Sequence, residues 1–204
     1  IIYDGQDAEA SNGKRPLATR TFYARLTQAL VTAITAPMAE GRLYEVDMRL
    51  RPSGRQGPVA TAFSGFEAYQ MEQAWTWEHL ALTRARVVAG NAALAVDFET
   101  VRARVLVAKA DNPGVAVNVG NMRRRIAHIK VADGAWDAKI GVGRLQDIEL
   151  AGQMLALKAG QIVRETAQQV AAGGLDAADS AALLEAAGLY WTVQSAAQLI
   201  VGGG

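Results

Sequence analysis

From Asn91 onward the chain reads as one helical pattern after another. AALAVDFETVRARVLV, VNVGNMRRRIAHI, GRLQDIELAGQMLALKAG, QIVRETAQQVAA and AADSAALLEAAGLYWTVQSAAQLIV are separated only by turns at DNPG, ADGA and AAGG. The second half is therefore expected to be a helical bundle, and its alanine excess suits close helix packing. Before Asn91 the punctuation is different. Ile1 to Asp4 reads as the end of a strand, and GQDAEASNGKRP as a polar loop. A helix with Phe22, Leu26, Leu30 and Ile34 on one core-facing stripe follows, stopped by Pro37 and Gly41. Val59 to Ala62 reads as a short partner strand. Ser64 and Glu67 have capping-box spacing for a helix through Tyr69 and Met71. Leu82 to Ala89 fits a strand, although the assignment is ambiguous. A chain of 204 residues, half of them hydrophobic, can bury a core for one large domain or two small ones. The expected class is α+β, with a division into residues 1–95 and 96–204.

The stretch Leu43 to Pro58, LYEVDMRLRPSGRQGP, gathers more ionisable groups in regular spacing than any other. As a strand it has Tyr44, Val46, Met48 and Leu50 on one face and Glu45, Asp47, Arg49 and Arg51 on the other. Arg49 and Arg51 then lie about 7 and 13 Å along the same face from Asp47. A carboxylate beside guanidinium groups, above a Gly-containing turn, suits a metal and a phosphate. An antiparallel strand with one wet face shows the same alternation, and cross-strand ion pairs would satisfy these charges without any function.

The motif EVDMRLRPSG, followed by AWTWEHLALTRARVVAG from Ala74 to Gly90, resembles bacterial glutamine synthetase adenylyltransferase. That family carries two nucleotidyltransferase halves of the DNA polymerase beta type. The resemblance extends to IIYD at the start and to KIGVGRLQDIEL from Lys139 to Leu150, roughly residues 1 to 150 in all. The AWTWEH version is similar to the C-terminal, AMP-attaching half. The resemblance implies a nucleotidyltransferase remnant at 1–95 followed by an all-helical domain at 96–204. It further implies transfer of AMP from ATP to a tyrosine hydroxyl of glutamine synthetase in the control of nitrogen metabolism, with Mg2+ or Mn2+ as cofactor and a PII signalling protein as a further partner.

Within that resemblance Asp47 matches the third of three metal-binding carboxylates and is the catalytic and metal candidate. The other two would precede Ile1, so the chain, opening on Ile1 rather than Met, is expected to be a piece of something longer and inactive alone. Arg49 and Arg51 are expected at the triphosphate. Ser53 and Gly54 would offer a hydroxyl and a backbone N–H to phosphate, although RPSG is equally an ordinary turn. Lys139 precedes a turn containing Gly141 and Gly143 at the mouth of a helix, where an anion is attracted. Arg144 stands where the family usually has a second glycine, which weakens any close backbone approach there. Asp147 and Glu149 are about 200° apart on a helix, so they do not pair, and Asp147 fits a first-turn dipole partner.

Other classes are disfavoured. A net charge of +1 argues against nucleic-acid binding through bulk phosphate attraction. No run approaches the ~20 apolar residues that span a bilayer. The absence of cysteine fits a reducing, cytoplasmic setting and removes thiolate sites. His79 and His128 have no companion ligand at zinc spacing, so structural roles are expected. Trp75 and Trp77 suit core or interface packing as well as stacking on adenine. A helical module kept for docking or regulation is the competing class, as is the AMP-removing half of the same family.

Overall fold

The computed structural model describes residues 1–5, 9–42, 44–134 and 136–201. Leu43, part of GQDAEASNGKRP at 6–8, and Ala135 in the ADGA turn lie outside the described residues. The described chain is mostly helical with a few two-residue strands, as an α+β class allows. It divides into two compact units.

The first unit comprises Ile1–Ala74 and Val87–Val101. Strand β1 (Ile2–Tyr3) pairs in parallel with β4 (Thr61–Ala62), so IIYD does contain a strand and the Val59 to Ala62 segment does supply its partner. Helix α1 (Thr19–Thr35) lies between them in sequence, followed by an antiparallel hairpin of β2 (Pro37–Met38) and β3 (Gly41–Arg42). The expected core stripe of α1 is wrong by one side-chain position. Phe22, Leu26 and Leu30 are 37%, 51% and 44% exposed, whereas Thr27 is buried. The inward face is set by Tyr23, whose ring stacks on Tyr3 at 4.2 Å between centroids. Helix α2 (Phe63–Glu72) starts one residue before Ser64, with Ala62 at its N-cap, so the expected Ser64/Glu67 capping box does not form. Phe66 of α2 meets Phe98 at 5.7 Å, and both are buried.

The second unit comprises Trp75–Arg86 and Arg102–Gly204. Leu82 to Ala89 is not a strand: helix α3 (Thr76–Arg84) runs through its first residues, and the rest is irregular. Helix α2 ends at Glu72 and Trp75 becomes the N-cap of α3, with its backbone N–H donated to the Glu78 carboxylate at 2.9 Å. The other end of α3 is closed by imported side chains. Buried Arg102 donates from Nε to the Leu82 carbonyl at 2.8 Å and from Nη2 to the Thr83 carbonyl, while Arg164 Nε reaches the Ala85 carbonyl at 2.8 Å. The only structural histidine role visible by burial is that of His79, inside α3, while His128 is exposed.

The five helices expected after Asn91 are present. Helix α4 (Ala92–Ala110) is capped by Asn91, whose Oδ1 accepts the Ala93 and Leu94 N–H groups at 2.8 and 3.1 Å. Helices α5 (Val115–Ile129), α6 (Leu145–Lys158), α7 (Thr166–Ala172) and α8 (Ala177–Val201) follow. Central to the unit is α6, with Leu145, Ile148, Gly152, Ala156 and Leu157 buried at helical spacing against α3, α5, α7 and α8. It ends at Gly160, whose φ of +61° lets the chain turn and donate Gln161 N–H back to the Ala156 carbonyl at 2.9 Å.

Candidate functional site

The segment Tyr44 to Arg51 is not a strand. From Tyr44 to Met48 the chain is irregular, then it turns at Arg49 and Leu50. The apolar members do not form a buried face either, since Tyr44 and Leu50 are 65% and 61% exposed. What replaces a ladder is a set of side-chain contacts made locally. Arg49 grips the Asp47 carboxylate with Nε at 2.9 and 2.8 Å from the two oxygens and Nη2 at 2.6 Å from Oδ2. The Arg49 backbone N–H donates to the same carboxylate at 2.9 Å. Hydrogen bonding from the Arg49 side chain, and after it from the Arg49 backbone N–H, lowers the Asp47 carboxyl to about 2 from 3.8. Both side chains remain open to solvent, so an incoming anion can reach Arg49.

Arg51 does something else. Its guanidinium donates from Nη1 to the Met48 carbonyl at 2.7 Å, from Nε to the Gly57 carbonyl at 3.2 Å and from Nη2 to the Arg55 carbonyl at 3.2 Å. Three of its five N–H groups thus close the loop it stands in. The Gly54 N–H, expected to face a phosphate, donates to the Arg51 carbonyl at 2.8 Å. Ser53 precedes it in the left-handed region, at φ +60°, the one non-glycine with positive φ among the described residues. The loop then makes a short 3-10 turn over Gly54–Gln56 and passes so close to itself that a Cβ on Gly57 would overlap the Pro52 carbonyl oxygen.

In the second unit, Lys139 sits where expected, just before the turn that opens α6. Its side chain is exposed beside Trp136 on an open cleft of about 630 Å³ whose far wall is Val193 and Ala197 of α8. The loop is organised by Asp137, which accepts the N–H groups of Asp133, Lys139 and Ile140 at 3.1, 2.9 and 2.9 Å. Arg144 buckles it as Arg51 buckles its own loop, donating to the carbonyls of Asp137 and, at 3.0 Å, Ile140. Gly141, at φ +141°, packs under that guanidinium. Asp147 lies in the first turn of α6 and accepts from Gly143 N–H at 2.9 Å and Arg123 Nη2 at 2.6 Å. Burial pushes its carboxyl up, but these two donors outweigh it and the net shift is downward. Glu149 faces Arg84 instead, at 3.1 Å.

The structure thus brings Asp47, Arg49, Arg51, Ser53 and Gly54 into one loop and places Lys139 in the other unit. Among the described residues no three His, Cys, Asp or Glu side chains converge as a metal would require. Asp47 is a single carboxylate with both oxygens turned to Arg49. These residues alone do not fit a divalent-ion site, which for Mg2+ asks for near-octahedral oxygen ligation. Pattern reasoning missed the roles of Arg51 and Arg144, because hydrogen bonds from a guanidinium to loop carbonyls leave no periodic trace.

No described helix is long and apolar enough to cross a membrane. Residues 1–101 match the family profile described as glutamate-ammonia ligase adenylyltransferase. The chain is 41% identical over 214 aligned residues to a bifunctional glutamine synthetase adenylyltransferase/adenylyl-removing enzyme of Agrobacterium fabrum, an alignment that takes in the whole chain and 22% of the relative. Proteins of the same description from Mesorhizobium japonicum and Brucella suis are 45% and 47% identical over 79% and 77% of the chain, and 16% of each relative. The chain spans about a fifth of the length of the curated relatives it matches. On this similarity, the chain belongs to the glutamate-ammonia ligase adenylyltransferase family.

Proposed function

We propose that this chain serves the AMP-attaching activity of a glutamine synthetase adenylyltransferase, with residues 1–95 as the C-terminal part of a polymerase beta-like nucleotidyltransferase domain and 96–204 as its helical bundle domain. The observation that carries the reading is the Asp47–Arg49 pair, held in the VDMRLRP motif of a chain alignable end to end with such an enzyme. In the reaction a tyrosine oxygen of glutamine synthetase attacks the α-phosphorus of ATP. The bond from that phosphorus to the bridging oxygen breaks, pyrophosphate leaves, and the hydroxyl proton is lost to solvent or a base.

Arg49 is a fork of donors already holding one pair of oxygens. It can exchange the Asp47 carboxylate for phosphate oxygens of similar geometry and stabilise the charge that grows there. Asp47 holds that fork in place and supplies negative charge at the same point. Mg2+ or Mn2+ at Asp47 would require further carboxylates. Ser53 is a secondary phosphate candidate in this loop and Lys139 one in the other unit, while the Arg51 guanidinium is engaged with the loop carbonyls. Glutamine synthetase is the protein substrate in this reading, a PII signalling protein a regulatory partner, and the setting cytoplasmic.

The test is a chimera of the Agrobacterium fabrum relative with this chain in place of its matched segment. Labelled AMP should be incorporated into glutamine synthetase from ATP. A chimera that folds and removes AMP but does not attach it would overturn the assignment.

A further inference from the structure

The Met48–Arg49 peptide group is shared by two contacts that the motif alone does not connect. Its carbonyl accepts Arg51 Nη1 at 2.7 Å, and its N–H donates to Asp47 Oδ1 at 2.9 Å. A peptide group is planar, with its C=O and N–H pointing in opposite directions, so fixing one end fixes the other. A cation on the oxygen also polarises the group and strengthens its N–H as a donor. Arg51 is itself anchored at the far end of the loop, through the Gly57 and Arg55 carbonyls at 3.2 Å each. The loop holds Ser53 at φ +60°, a conformation that costs energy and persists where the surroundings enforce it, and passes Gly57 where a Cβ would meet the Pro52 carbonyl.

We propose that Arg51 is a positioning residue: its guanidinium ties the ends of the 48–57 loop together and, through the Met48–Arg49 peptide plane, aims the Arg49 N–H at the Asp47 carboxylate. It needs the three-donor fork of arginine. A lysine supplies a single point charge on a flexible stem and cannot hold three carbonyls at once. The consequence for AMP transfer rests on the function proposed above, whereas the consequence for the loop does not.

The experiment has two arms. In the first, 15N relaxation is measured on this chain and on Arg51→Ala and Arg51→Lys, with the amide spectrum of α1, in the same unit as Arg51, as the check that each has folded. The expected result is that Arg49, Gly54 and Gly57 N–H order parameters fall from about 0.85 to below ~0.6 in both variants. Unchanged order at Arg49 in a folded variant overturns the proposal. Should Arg51→Ala not fold, Arg51→Lys decides alone.

In the second arm, steady-state AMP transfer is measured in the chimera. The expected result is a fall in kcat of at least about tenfold with the KM for ATP within about twofold, no recovery in Arg51→Lys, and partial recovery of Arg51→Ala by added guanidinium. A raised KM for ATP at unchanged kcat would show that Arg51 binds phosphate directly, and overturns the proposal. Failure of the unmutated chimera to attach AMP would refute the functional reading while the first arm stands.

Discussion

Asp47 and Arg49 meet as fork to fork across two residues, with guanidinium nitrogens 2.6 to 2.9 Å from the two carboxylate oxygens and the Arg49 backbone N–H on the same group. In a regular strand these two side chains would stand side by side and pair across to a neighbour. Here the irregular backbone folds one onto the other, which makes the pair a local unit that a ligand can open.

The pair sets a pH dependence. The Asp47 carboxyl is held at about 2, below its usual 3.8, chiefly by the Arg49 side chain. A depressed carboxyl contributes stability that is fully present above pH 3.8 and is lost as pH falls through about 2. The expected outcome of a carboxyl-carbon NMR titration is a midpoint near the lower value, moving back towards the upper one in Arg49→Ala. A midpoint that does not move in that variant would show that the guanidinium is not the cause.

Gly57→Ala should open the loop. Its Cβ would overlap the Pro52 carbonyl oxygen, and backbone rather than a flexible side chain would have to shift. The expected cost is about 1–3 kcal/mol, the range for forcing atoms into a packed site. Denaturant unfolding reads it, and loss of the Gly57 N–H bond to the Gly54 carbonyl, 3.2 Å in the intact loop, locates it.

Two arginines of the helical unit should behave oppositely. Arg102 is fully buried, and its guanidinium closes the last carbonyls of α3 at Leu82 and Thr83. Arg102→Ala leaves buried acceptors unpaired and should cost roughly 3 kcal/mol or more. Arg123 is itself exposed and pairs at 2.6 Å with the half-buried Asp147, which keeps the Gly143 N–H as a donor, so Arg123→Ala should cost about 0 to 1 kcal/mol. Thermal unfolding of the two variants side by side distinguishes them. Equal losses would contradict the burial argument.

The helical half was legible from the sequence because helix periodicity and Gly or Asn punctuation act locally. Asn91 caps α4, Gly160 ends α6 and Asp147 sits in the first turn of α6, each for reasons contained within a few residues. The first unit was less legible. Alternating Tyr44, Glu45, Val46 and Asp47 reads as a strand, yet the same pattern arises when an ion pair two residues apart bends the chain back. The face of α1 was misjudged because Tyr23 stacks on Tyr3, a contact that depends on a residue twenty positions away. The candidate site was legible as a cluster of residues in one loop but not in its division of labour. Arg49 and Arg51 look equivalent in RLR, and only the backbone path turns one outward to a carboxylate and the other inward to carbonyls.

The central claim is that the Asp47 carboxylate serves AMP attachment, and Asp47→Asn in the chimera tests it most directly. The amide keeps the size and one acceptor oxygen but removes the charge that holds Arg49. Measured as AMP incorporation into glutamine synthetase, transfer should fall by at least about tenfold, each factor of ten corresponding to about 1.4 kcal/mol of lost transition-state stabilisation. Removal of AMP by the rest of the chimera and its melting temperature should stay near those of the parent. A mutant that retains more than about a tenth of the parental attachment rate would contradict the account and leave Asp47 as one half of an exposed ion pair.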